Sequence, residues 1–143
     1  MKNKNRIAYA EQYVSFLLYN LDQSHYENIK EIILFGSVTR GEATADSDID
    51  IFIDLFKDNQ KLVERIERLT KKFYNTEFFK LWKLLGIENE IKTIVGILDE
   101  WDLKLSILAN GLVLYGKYQL GIKEGEPQVI VYWDKIKPES RRV

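Results

Sequence analysis

Glu31-Ile32-Ile33-Leu34-Phe35-Gly36-Ser37, then ten residues, then Asp48-Ile49-Asp50-Ile51-Phe52-Ile53-Asp54-Leu55, is the stretch that decides the fold. Its first part is a short apolar run stopped by glycine, which reads as a buried strand. Its second part alternates aspartate with isoleucine and reads as another strand. Alternate side chains of a strand share a face, so Asp48 and Asp50 project together while Ile49, Ile51 and Ile53 enter the core. Residues 37–47 are small, polar and charged, with Gly41 among them, and read as a loop or short helix.

The two aspartates would have Cα atoms roughly 6–7 Å apart, two residues of strand rise. Carboxylates so placed repel unless a cation lies between them. With no cysteine and only one histidine, His25, the ligands of any metal must be oxygens. That favours Mg²⁺, with Mn²⁺ able to substitute, and Mg²⁺ held by few carboxylates completes its shell with substrate phosphates. Gly36 ends a strand where backbone N–H groups can approach phosphate closely, and the Ser37 hydroxyl adds a donor. A helix starting after Ser37 would add a favourable N-terminus for an anion. Arg40 is a further phosphate contact, able to make paired hydrogen bonds.

Outward from this core the pattern alternates. Ile7, Ala10, Val14, Leu17 and Leu21 lie on one face of an opening helix, and residues 20–24 form a turn. Leu62, Ile66, Leu69 and Phe73 mark another helix. Asn75-Thr76 can cap a third, carrying Phe79, Trp82 and Leu85 and closed by Gly86. Residues 91–98 are strand-like. Asp99 can cap a helix through Ala109, and residues 112–115 and 129–133 are further strands. The fold class that follows is α/β (α+β), a mixed sheet flanked by helices. One domain is expected over residues 1–134, with its core motif at 31–55, followed by a basic tail at 135–143.

The chain has 143 residues, 45% of them hydrophobic, and a net charge of −1. A protein held to nucleic acid by bulk charge would be more basic, so nucleic acid is not the favoured partner. No apolar run reaches membrane-spanning length and no signal-peptide core follows the N-terminus, which predicts a cytoplasmic protein without membrane contact.

The motif from Leu34-Phe35-Gly36-Ser37 through Asp48-Ile49-Asp50 resembles the signature of the DNA polymerase β nucleotidyltransferase superfamily. Its spacing is similar to that of the minimal members, which are often the antitoxin half of a HEPN toxin–antitoxin pair. The segment Gly111-Leu112-Val113-Leu114-Tyr115-Gly116 is also similar to the close of their core domain. The resemblance implies a polymerase β-type fold, with Gly36 and Ser37 holding a nucleotide triphosphate and Asp48 and Asp50 ligating two Mg²⁺ ions. It implies transfer of AMP from ATP to a hydroxyl with release of pyrophosphate. In the antitoxin branch that hydroxyl is a tyrosine of the HEPN-type partner.

Members of that superfamily place a third carboxylate on a later strand. The matching segment is Glu90-Ile91-Lys92-Thr93-Ile94-Val95, and its register puts Lys92 at that position. Glu90 shares the strand face and is the candidate catalytic carboxylate if the strand is shifted. Asp54 is a more remote one. Lys92 reads as an ordinary edge-strand lysine that discourages aggregation, or as a replacement for a metal's charge that contacts the triphosphate.

Three functions compete: an adenylylating antitoxin; a degenerate module that neutralises its partner by binding; and a transferase acting on a small molecule or an RNA end. Eight basic side chains against four acidic ones over residues 57–83 read as a solvated helix face, or as a docking surface for an acidic protein or RNA. Lys135, Lys137, Arg141 and Arg142 are a candidate binding arm. The tryptophans and residues 129–133 are the candidate interface of a homo-oligomer. Phe78, Phe79 and Trp82 read as core, and His25 as chemically idle.

Overall fold

A computed structural model describes residues 2–117 and the short strands β5 (Ile122–Lys123) and β6 (Glu126–Pro127), which pair with each other. The expected strand at 129–133 and the basic tail lie outside the described residues. Along the chain come helices α1 (Lys2–Asn20) and α2 (Gln23–Glu27), then strands β1 (Ile29–Phe35) and β2 (Ile49–Leu55). Helices α3 (Gln60–Phe73) and α4 (Glu77–Leu84) follow, then β3 (Ile91–Gly96), α5 (Lys104–Asn110) and β4 (Leu112–Gly116). The main sheet has the order β3-β2-β1-β4. Its β1 runs antiparallel to β2 and β4, and β2 runs parallel to β3. This is the mixed sheet with helices that the sequence predicts.

The sheet is covered on both faces at its centre, which is why β1 and β2 read as nearly continuous apolar runs. Ile32 and Leu34 of β1, with Ile49, Ile51 and Ile53 of β2, enter the main core beneath α1 and α3. Ile33 and Phe52 point the other way, into a smaller cluster closed by Leu98 and Ile107. Asp50 and Asp54 flank Phe52 along β2, so one carboxylate stands at each end of that smaller cluster.

Helix α1 buries a wider stripe than its aliphatic spacing suggests. Tyr9 and Tyr13 are fully buried beside Ala10, Val14 and Leu17. Their rings pack on Phe73 of α3 with centroids 5.9 and 5.5 Å away. Both hydroxyls are bonded: Tyr9 donates to the Asn89 carbonyl at 2.9 Å, and Tyr13 lies 2.6 Å from Thr70 Oγ1. Thr70 gives its own proton to the Ile66 carbonyl, so Tyr13 is the donor of that pair. Asn59 and Thr76 cap α3 and α4 by accepting from Leu62 and Phe79 N–H.

Several local readings are corrected. Asp22 caps the one-turn helix α2 where a plain turn was expected, and His25 lies in that helix. Strand β3 stops at Gly96, and Leu98 to Glu100 forms a 3₁₀ turn. Asp99 does not cap α5: that helix begins at Lys104 without a side-chain cap, and Asp99 instead pairs with Lys104 Nζ at 2.6 Å. Of the aromatics in α4, Phe79 and Trp82 pack on the core while Phe78 is half-exposed. Leu85 is exposed rather than part of the buried stripe.

Candidate functional site

The site lies at the end of the sheet where β1 leaves the core and β2 enters it. Phe35 pairs with Asp50 across the antiparallel ladder, so the residue after Phe35 must cross in front of Asp50. That residue is Gly36, at φ 84°, in the left-handed region. A Cβ on Gly36 would overlap Asp50 Oδ2, so the carboxylate rests directly against the glycine backbone. Only glycine satisfies both the dihedral and the contact.

Residues 36–42 then form a tight turn. Arg40 N donates to the Gly36 carbonyl at 3.3 Å, Gly41 N to Val38, and Glu42 N to Ser37. Thr39 Oγ1 adds a bond to the Gly36 carbonyl at 2.9 Å. Val38 is fully buried and anchors the turn. No helix starts after Ser37: Gly41 turns the chain at φ 73° after one loop. The helix N-terminus considered from sequence is therefore absent, and any anion here would meet turn amides instead. The Ser37 hydroxyl has no hydrogen-bond partner among the described residues.

Asp48 sits one residue ahead of β2 and is exposed, while Asp50 is half-buried. Burial and the neighbouring Asp48 carboxylate push Asp50 above the usual aspartate range, and Lys92 and Arg40 oppose that push. Arg40 is also ion-paired with Glu42 Oε1 at 3.0 Å. Strand β3 sets Lys92 beside Asp50 in the parallel register. Glu90 lies two residues earlier, exposed, with its carbonyl accepting from Ile49 N at 2.8 Å. That puts Glu90 alongside Asp48. Asp54 does not join this group. It is buried at the far end of β2, where it accepts from Leu98 N at 2.9 Å and pairs across the ladder with Glu31.

Three residues invisible to the sequence reading shape the site from below. Asn89 is buried, and its Nδ2 donates to the carbonyls of Thr44 at 2.9 Å and Ser47 at 2.7 Å, with a longer contact to Ala45. Arg6 of α1, also buried, donates to Asn89 Oδ1 at 3.3 Å and reaches the Ala43 carbonyl at 3.5 Å. Together they tie down the loop that delivers Asp48. Tyr74, at the end of α3, accepts from Ile91 N at 2.7 Å. Burial, with Glu90 and Asp48 nearby, holds its phenol above the ordinary range. No local pattern could have found these three: Arg6 and Asn89 are 83 residues apart.

Residues 19–110 match the family model described as the nucleotidyltransferase domain. The chain belongs to the nucleotidyltransferase domain family. No curated protein matches it. Similar solved structures include a toxin–antitoxin with AMP-PNP, at 20% identity and TM-score 0.49, over 75% of this chain and 73% of that one. A structure from Sulfolobus solfataricus that carries the description of a nucleotidyltransferase is 16% identical at TM-score 0.48, over 80% and 84%. A mutant of the toxin–antitoxin MntA-HpeT is 16% identical at TM-score 0.47, over 75% and 73%. Among the described residues of this nucleotidyltransferase domain, no helix is long and apolar enough to cross a membrane.

Proposed function

We propose that this nucleotidyltransferase domain moves AMP from ATP to a hydroxyl, and that the hydroxyl is a tyrosine of a HEPN-type partner protein. The observation that carries the transfer is the packing of Asp50 against Gly36, with Asp48 on the same side. The resemblance of the motif spacing to the minimal antitoxin-type members supports the acceptor. In this reading residues 1–134 act as one transferase unit.

The residues fit a divalent cation: two like-charged carboxylates stand together, and Asp50 is held above its ordinary range partly by its neighbour. When bound, Mg²⁺ would polarise the α-phosphate and draw negative charge from the attacking oxygen. The rest falls to the chain's own side chains. Gly36 and Ser37 offer the turn amides and a free hydroxyl to the triphosphate, and Arg40 releases Glu42 to add a guanidinium. The acceptor oxygen bonds to the α-phosphorus as the bond to pyrophosphate breaks. Its proton goes to a nearby carboxylate, for which Glu90 beside Asp48 is the candidate.

A second reading, neutralisation of the partner by binding alone, is favoured by Lys92 beside Asp50. The two separate in a growth-rescue assay against the partner toxin. Asp48→Asn should abolish rescue and the AMP-sized mass increase on the toxin's tyrosine peptide. Full rescue by Asp48→Asn would leave the binding reading standing and remove the transferase one.

A further inference from the structure

Among the described residues, Lys92 is the lysine that the sheet pairs with an aspartate of the site. Residues paired in a parallel ladder stand on the same face, with strands about 4.8 Å apart. The pairing of Asp50 with Lys92 therefore sets an ammonium-bearing side chain beside Asp50 on one face of the sheet. Lys92 is exposed, and its stem is long enough for the ammonium to reach past Asp50 toward a ligand.

The donor set points the same way. A pair of divalent cations 3.5–4 Å apart needs acidic ligands on both. Among the described residues, no group of three or more acidic, histidine or cysteine side chains could hold a metal ion. Asp54, on the same face of β2, is engaged with Glu31 and Leu98 at the far end. A second dication beside Asp50 would also lie against the Lys92 ammonium, and like charges in a partly desolvated site repel strongly.

Resting on the nucleotidyl-transfer reading above, we propose that Lys92 stands in for a second metal: the site takes a nucleoside triphosphate with one divalent cation, on Asp48 and Asp50, and the Lys92 ammonium supplies the remaining positive charge to the phosphates. Lys92 is then a nucleotide-binding residue. The arrangement makes the site selective for a triphosphate that arrives with a single cation.

The test counts Mn²⁺ by electron paramagnetic resonance in the presence of a saturating ATP analogue with a methylene between the α- and β-phosphorus atoms. Nucleotide affinity is measured in parallel by calorimetry. The wild-type protein should hold one Mn²⁺ per bound nucleotide. Lys92→Asp should hold two. Lys92→Met should keep one and lose about tenfold in nucleotide affinity, the worth of a charge-assisted bond, with Lys92→Arg retaining most of it. Two Mn²⁺ ions on the wild type, or unchanged affinity in Lys92→Met, overturns the role of Lys92 and leaves nucleotidyl transfer intact. Absence of any nucleotide binding by the folded wild type overturns both.

Discussion

The Asp50 carboxylate rests against the Cα of Gly36, leaving no room for a side chain at that position. Gly36 also holds a left-handed φ of 84°. Gly36→Ala therefore carries two costs: about 1–2 kcal/mol for the dihedral, and displacement of Asp50. The expected outcome is a melting temperature several degrees lower, together with loss of measurable nucleotide binding. A variant that melts lower yet binds nucleotide normally would show that the contact does not shape the site.

Asn89 has a separable role. Its amide holds the carbonyls of Thr44 and Ser47 and gives buried Arg6 an acceptor. Asn89→Ala should destabilise by about 2–4 kcal/mol, since it strands buried polar groups and a charge. Asn89→Asp keeps the Arg6 acceptor but loses the donors to the loop. It should weaken Mn²⁺ binding more than it lowers the denaturation midpoint. Parallel urea unfolding and Mn²⁺ titration distinguish these effects.

Glu31 gives the fold a pH dependence. Burial, then the hydrogen bond and the charge of Asp54, push its carboxyl up to about 7; Lys30 opposes the push and Asp99 adds to it. A raised carboxyl binds its proton more tightly when folded. Its contribution is complete below the unfolded value near 4.5 and is lost as pH rises through about 7. Glu31→Gln keeps a neutral partner for Asp54 and should remove this slope. The gain at pH 8 should be about 1–2 kcal/mol after allowance for solvent screening, read as a higher denaturation midpoint than wild type. Equal midpoints for both proteins from pH 5 to 8 would refute it.

What the sequence made legible follows the range of the interactions. The β1-Gly36 break and the Asp48-x-Asp50 alternation are local, and their strand assignments agree with the structure at β1 and β2. The parallel pairing that brings Lys92 to Asp50 is a long-range contact, and the sequence alone places Lys92 only at the position where the family carries a third carboxylate. Asp99 misled because a capping residue fits any nearby helix start, and here a 3₁₀ turn and an ion pair claimed it. Tyr9 and Tyr13 escaped because a tyrosine at a helix face is buried only when a distant partner takes its hydroxyl. Asn89 and Thr70 are those partners.

The Tyr13–Thr70 bond offers a direct check of that last point. Thr70→Val keeps the volume but leaves the Tyr13 hydroxyl without its acceptor in the core. The cost should be about 1–3 kcal/mol, and Tyr13→Phe on the same background should recover part of it. No recovery in the double variant would mean that the hydroxyl was never the issue.

The most direct measurement is transfer of label from α-phosphate-labelled ATP, with Mg²⁺, the purified protein and an extract of source cells or the neighbouring gene's product. The account predicts a labelled protein band with the wild type that disappears in the Asp48→Asn/Asp50→Asn variant. No label from a folded wild-type protein that binds ATP in the presence of the partner, or label that persists in the double variant, would contradict it.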